Sequence, residues 1–114
     1  MRKRFIGIAE LKEILAAEQI SEYRYNICES AKVNIVDGFT IKEFLSRYSI
    51  SYIEDGKSYW VGEFADEDDA CRFFLYLMAD SGVEPNEIGL FKYIMAEDFE
   101  VLIKEALERR NDDF

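Results

Sequence analysis

The side chains with the greatest capacity for chemistry in this 114-residue chain are four consecutive carboxylates, Asp66-Glu67-Asp68-Asp69. Such a cluster could hold a hard cation, because Ca²⁺ takes six to eight oxygen ligands. However, the run lacks the glycine turn and the spaced ligands of an EF-hand loop, and consecutive helical positions diverge by about 100°. Helix N-termini favour acidic residues, which face unpaired amides and the positive end of the macrodipole. We therefore predict a helix with Asp66 as its N-cap, and no metal site.

The thiol of Cys71 follows this run and is the second candidate for chemistry. A position close to a helix N-terminus would favour the reactive thiolate. Cys71 also lies at the edge of the apolar helix face that carries Phe74, which favours a packed core thiol. The only other cysteine is Cys28, without CxxC spacing, so we expect neither a zinc site nor a disulfide.

Histidine is absent from the sequence. This excludes Ser-His-Asp and Cys-His catalysis, His-ligated metals and the commonest near-neutral general base. No glycine-rich phosphate-binding motif is present either. Carboxylate pairs can be drawn from any acidic protein and carry little information. We expect no enzyme and no cofactor; a small enzyme that uses carboxylates and tyrosine is the least favoured alternative.

The composition combines a net charge of −10 with 49% hydrophobic residues. A chain this apolar is expected to fold, here as a single domain over residues 1–114. The excess of 24 acidic over 14 basic residues opposes binding to nucleic acid, whose phosphates require Lys and Arg. The same field would attract a basic macromolecule. Alternatively, the charge serves solubility alone.

The N-terminus begins with basic residues, as a signal peptide does, but only five uncharged residues separate Arg4 from Glu10. An export signal needs roughly 7–15 apolar residues in this region. No stretch approaches the roughly 20 apolar residues that span a membrane. We therefore predict a cytoplasmic protein with reduced thiols and no membrane partner.

Apolar periodicity predicts the elements that position these groups. Helical spacing indicates helices near residues 8–19 and 97–110, in addition to the one that begins at Asp66. Alternation between Tyr23 and Phe64 indicates strands, with Val33–Val36 among them, and a hairpin around Glu54-Asp55-Gly56-Lys57. Residues 39–48 fit either a short helix capped by Thr40 or a strand, and residues 86–95 are equally ambiguous. The predicted fold is α+β, an antiparallel sheet of about four strands packed by three main helices.

Surface candidates for recognition come from two places. With Phe74 at the centre of the buried helix face, the opposite face carries acidic and aromatic side chains and Ala79; the hairpin tip adds two acids. The predicted partner-binding residues are Glu54, Asp55, Asp68, Asp69, Arg72 and Tyr76. Tyr76 could instead be covered by the sheet or the last helix. We predict that replacing Asp68 and Asp69 by Lys weakens partner binding and leaves thermal stability nearly unchanged.

Three segments carry a family resemblance: Ile20-Ser21-Glu22-Tyr23-Arg24-Tyr25, Tyr52-Ile53-Glu54-Asp55-Gly56-Lys57, and Phe64 through the acidic run to Phe74. Together they resemble small immunity-type proteins of bacterial polymorphic-toxin systems, over about residues 8–80. In that family a Tyr-x-Glu-Arg-Gly-like turn precedes Phe, a short acidic run, Ala-Cys and an aromatic pair. Asp55 stands where the family turn usually has Arg, and residues 39–48 look like an insertion.

The resemblance implies a bacterial intracellular protein that binds and neutralises a cognate toxin and has no catalytic activity of its own. An acidic surface suits a basic toxin, since it can occupy a site meant for phosphate. The alternative is a non-catalytic adaptor or regulatory module. A homodimer formed through the aromatic surface also stays open.

Overall fold

The computed structural model describes residues 5–28 and 36–94, together with Lys104. It has the predicted α+β fold. The elements in chain order are α1 (Ile8–Ala17), a 3-10 turn (Glu22–Arg24), β1 (Tyr25–Cys28), β2 (Gly38–Phe44), β3 (Arg47–Glu54), β4 (Lys57–Phe64), α2 (Glu67–Asp80), α3 (Pro85–Ile88) and a second 3-10 turn (Gly89–Tyr93). The first predicted helix is confirmed but ends before residue 19, because Gln19 has a left-handed φ of 58°.

The four strands form one sheet in the order β1-β2-β3-β4. The β2–β3 and β3–β4 pairs are antiparallel, whereas β1 runs parallel to β2. The sheet is therefore mixed rather than purely antiparallel. Parallel pairing aligns Ile27 with Ile41 and Asn26 with Thr40, so the apolar side chains still share one face. The Asn26 amide bonds both Val36 and Thr40, which holds the two strands in this register.

The hairpin of β3 and β4 is confirmed. Its two turn residues, Asp55 and Gly56, have φ values of 52° and 79°, as a type I′ turn requires. Residues 39–48 adopt the strand alternative, since β2 ends at Phe44 and a tight turn joins it to β3. The helical alternative would place Ile41 and Phe44 on one buried face. Instead Ile41 is fully buried, while Phe44 is 66% exposed on the opposite face of the sheet.

The core lies between one face of the sheet and α2. Ile41, Ile50 and Phe64 of the sheet meet Phe74 and neighbouring apolar residues of α2, and all four named side chains are fully buried. Helix α1 packs against α2 through its own apolar stripe.

In the second ambiguous segment, residues 86–95, the described residues are helical as far as Tyr93, with α3 followed by the 3-10 turn, and Ile94 is extended. The segment is tied to the end of α1, because the Glu18 carboxylate accepts hydrogen bonds from Lys92 and from Tyr93. The strand predicted at Val33–Val36 lies outside the described residues except for Val36, which is not in a strand. The helix predicted at 97–110 also lies outside them except for Lys104, which is helical.

Candidate functional site

The acidic run begins α2, as predicted, with Asp66 as the N-cap. Its Oδ1 accepts a 2.9 Å hydrogen bond from the Asp69 backbone N–H. Glu67, Asp68 and Asp69 occupy the first turn. The Asp66 hydrogen bond satisfies the Asp69 amide, which has no partner within the helix. The three first-turn carboxylates place negative charge at the positive end of the helix dipole.

Glu67 also caps a second helix. Its Oε2 accepts a 2.7 Å hydrogen bond from the backbone N–H of Ile8, the first residue of α1. The N-cap of α1 is Gly7, which has no side chain to offer. Oε1 of Glu67 lies 3.4 Å from the Tyr48 hydroxyl. Burial, followed by the charges of Glu67 and Glu43, raises the pKa of Tyr48. Glu67 therefore joins α1, α2 and β3.

The expected outward face of α2 is largely covered. Asp68 Oδ1 accepts a 2.7 Å bond from the Ile6 N–H, and the Asp68 carboxylate pairs with Arg72 at 2.9 Å. Arg72 Nη1 donates to the Tyr93 carbonyl, and Arg72 is only 5% exposed. The prediction that Asp68, Arg72 and Ala79 face outward was wrong. The N-terminal segment and the second 3-10 turn pack on that side, and sequence periodicity could not show this.

Tyr76 is half-buried between two other aromatic rings. Its ring centroid lies 6.1 Å from that of Phe73 and 6.3 Å from that of Phe91. Among the described residues, the second 3-10 turn covers part of Tyr76 through Phe91. Asp69 is also half-buried. Partner binding by these two residues, and by Asp68 and Arg72, stays a prediction.

The three aspartates of the run can each bring one carboxylate oxygen within 4.8 Å of the others. The Asp66 carboxylate bonds the Asp69 amide from the N-cap position and so lies over the first turn, which is why the 100° spacing of helical residues does not keep the oxygens apart. The carboxylates of Asp66 and Asp68 already accept the Asp69 amide, the Ile6 amide and the Arg72 guanidinium. Capping and ion pairing account for their arrangement.

Cys71 is a packed core thiol, as the apolar face predicted. It is fully buried. Burial raises the pKa of the Cys71 thiol strongly, and the charges of Glu67 and Asp68 add to this effect. The thiolate that a helix N-terminus would favour is therefore suppressed. Cys28 is buried as well, and neither cysteine forms a disulfide.

The hairpin tip brings the two remaining candidates to a different part of the surface. Glu54 and Asp55 are both exposed. The Asp55 backbone N–H donates a 3.2 Å hydrogen bond to Oδ1 of Asp37, which lies just before β2. Three acidic residues from two distant segments thus lie together at this end of the sheet. Asp37 was not among the predicted partner-binding residues.

A row of aromatic residues crosses all four strands beside this tip. The register pairs Tyr25 with Phe39, Phe39 with Tyr52, and Tyr52 with Tyr59. The Phe39 and Tyr52 rings meet edge to face at a centroid distance of 5.1 Å. The row is half-buried from β1 to β3, and Tyr59 at its β4 end is exposed. Burial, aided by the charge of Glu22, raises the pKa of Tyr25. We call these four residues the aromatic row.

An open groove of about 490 Å³ lies between the aromatic row and the end of α2. The residues that line this tip groove are Tyr23, Arg24, Asp37, Gly38, Phe39, Tyr52, Met78, Ser81 and Glu87. Arg24 pairs with Glu87 at 3.0 Å across one wall. Glu87 is nearly fully buried, whereas Tyr23 is 82% exposed.

Gly38 fixes the shape of the tip groove. Its φ of +136° is a conformation that side chains rarely adopt, and a Cβ atom there would stand 2.4 Å from the Arg24 carbonyl oxygen. The absence of a side chain thus lets β2 approach the 3-10 turn that presents Tyr23 and Arg24. The sequence analysis did not place Tyr23 or Asp37 in a candidate site.

Among the described residues, the tip groove together with Asp37, Glu54 and Asp55 forms the surface best suited to recognition. Within that same part of the chain, no helix is both long enough and apolar enough to cross a membrane. Comparison with known proteins finds no matching family model, no matching curated protein and no matching solved structure.

Proposed function

We propose that this chain is an immunity-type inhibitor that neutralises a basic toxin by direct protein–protein binding. The observation that carries the proposal is the position of Asp37, Glu54 and Asp55 beside the aromatic row. Tyrosine-rich surfaces with a charged rim suit protein interfaces, since tyrosine offers contact area and a hydroxyl at little entropic cost.

The charge of the chain supports a basic partner. A net charge of −10 speeds the approach of a cationic protein, and acids at the rim of an interface mainly raise the association rate. Glu54 and Asp55 are exposed at the hairpin tip, so their charges can attract an approaching cationic protein. In this proposal the toxin docks at the hairpin end of the sheet, and the protein acts in the bacterial cytoplasm.

The acidic run of α2 has a supporting part in this proposal. Asp66 caps α2, and Glu67 and Asp68 fasten α1 and the N-terminal segment to it, so all three hold the fold that presents the tip. Asp69 and Tyr76 are half-buried and do not line the tip groove, so partner binding by these two residues is not part of this docking mode.

A growth assay tests the proposal. The neighbouring gene that the proposal expects to encode the toxin would be expressed in a bacterial host with and without the chain. We expect the wild-type chain to restore growth and the double variant Glu54→Gln, Asp55→Asn to restore it less at low expression. Glu13→Gln removes an exposed charge on α1 and should behave as the wild type. Binding without rescue would instead identify an adaptor, and neither binding nor rescue would refute the proposal.

A further inference from the structure

We propose that the tip groove receives an arginine side chain of the partner protein. This inference rests on the proposed function and adds the chemistry of the residue that is recognised. The aromatic rings of Tyr23, Phe39 and Tyr52 line the groove, and Asp37 stands at its edge. A planar guanidinium can stack on aromatic rings while its N–H groups bond a carboxylate, which a compact ammonium does less well.

The charges that line the groove select a cation. Arg24 is engaged with the buried Glu87 at 3.0 Å, so these two side chains neutralise each other. Among the described residues that line the groove, the remaining charged one is Asp37. Its Oδ1 accepts the Asp55 amide, and Oδ2 of the same carboxylate is a second acceptor. The exposed acids Glu54 and Asp55 add to the negative potential nearby.

The size of the groove fits this occupant. Its volume of about 490 Å³ lies in the range of about 300–1,000 Å³ that is typical of ligand sites. This is room for one long side chain and its flanking backbone. The groove is also open to solvent along Tyr23, which is 82% exposed and requires no change in the fold to meet a partner.

Short peptides test the inference without the toxin. The ¹⁵N-labelled protein would be titrated with capped tetra-arginine, tetra-lysine and tetra-glutamate peptides at low salt, with amide shifts as the readout. We expect tetra-arginine to shift the amides of Gly38, Phe39 and Tyr52, and to bind more tightly than tetra-lysine. Equal affinity for both cationic peptides, shifts elsewhere on the surface, or preference for tetra-glutamate would each overturn it.

Two variants and one matched control sharpen the test. Tyr23→Ser removes an exposed ring, and Asp37→Asn keeps an oxygen that can accept the Asp55 amide. Each should raise the Kd for tetra-arginine about two- to fivefold, as expected for a solvent-exposed cation–π contact or a rim charge. Phe44→Ser removes a comparably exposed ring from the opposite sheet face and should leave the Kd unchanged. An equal loss in all three variants would contradict the proposed site.

The two proposals fail separately. If the toxin is neutralised but Tyr23→Ser and Asp37→Asn bind tetra-arginine as the wild type does, the arginine site is wrong and the inhibitor proposal stands. If the peptide binds as expected but no toxin is neutralised, the groove recognises arginine in some other basic protein.

Discussion

Glu67 at the start of α2 accepts a 2.7 Å hydrogen bond from the backbone N–H of Ile8, 59 residues earlier in the chain. One carboxylate therefore caps the helix α1 from outside it. Gly7 occupies the N-cap position of α1, and its own N–H is bonded by Glu10 instead. The acidic run thus begins one helix and fastens another.

Replacing Glu67 by Ala should destabilise the protein by about 1–2 kcal/mol, the usual cost of losing a helix cap or leaving an amide unpaired. Glu67→Gln keeps an acceptor oxygen and should lower the free energy of unfolding by less. Urea unfolding measures both. Glu13→Ala, at an exposed position of α1, is the control and should change stability little. Equal stability of the Glu67→Ala and Glu13→Ala variants would show that the contact to Ile8 contributes nothing.

Asp68→Lys should lower stability by about 2 kcal/mol or more, because it removes the acceptor for Ile6 and leaves Arg72 facing a like charge. This replaces the expectation that lysine at this position leaves thermal stability unchanged. Asp68→Asn, which can still accept the Ile6 amide, should be milder. Thermal unfolding of the two variants measures this effect. If Asp68→Lys has the same melting temperature as the wild type, the contacts of Asp68 with Ile6 and Arg72 do not stabilise the fold.

Gly38→Ala should destabilise the fold by about 1–3 kcal/mol, because its positive φ is strained for alanine and the new Cβ would press on the Arg24 carbonyl. Gly56→Ala is the matched control: its φ is also positive, at +79°, but nothing lies within 4 Å of the added Cβ. Gly56→Ala should therefore destabilise the fold less than Gly38→Ala does. A larger loss at Gly56 than at Gly38 in urea unfolding would argue against the close approach.

Stability should fall as the pH rises above about 9. Burial raises the pKa of the Cys71 thiol above the ordinary value of 9.0, so the unfolded chain releases this proton at a lower pH than the folded one. The folded state then binds more protons, and stability declines by up to about 1.4 kcal/mol per pH unit from this group. Tyr48, whose pKa is also raised by burial, adds to the decline above its ordinary value of 10.0.

Cys71→Ala checks the assignment of this pH dependence. In this variant the free energy of unfolding should fall less steeply between about pH 9 and pH 10 than in the wild type, whatever its absolute value. Chemical unfolding at several pH values in that interval gives the slope directly. An unchanged slope would assign the effect to other groups.

Sequence reasoning succeeded where the determinants are local. Asp66 as an N-cap and the hairpin at Asp55-Gly56 depend on residues within one or two turns of the chain, and both are confirmed. The parallel pairing of β1 with β2 was missed, because alternation places Tyr25 and Ile27 on the core face in either strand direction.

The candidate site was predicted only in part, since it is assembled from distant segments. Glu54 and Asp55 were identified from their place at a hairpin tip. Asp37 joins them through a hydrogen bond to a residue 18 positions away. The burial of Arg72 depends on Tyr93, which belongs to a segment whose structure was ambiguous from periodicity. No local pattern contains this information.

The most direct test of the proposed function is the affinity of the purified chain for the cognate toxin that the proposal requires, measured by titration calorimetry. The variant Glu54→Gln, Asp55→Asn removes two exposed charges and retains a turn sequence, Asn-Gly, that suits the type I′ conformation. We predict an affinity weaker by roughly tenfold, about 1.4 kcal/mol, and less dependent on salt. Affinity equal to that of Glu13→Gln would contradict docking at the hairpin end of the sheet.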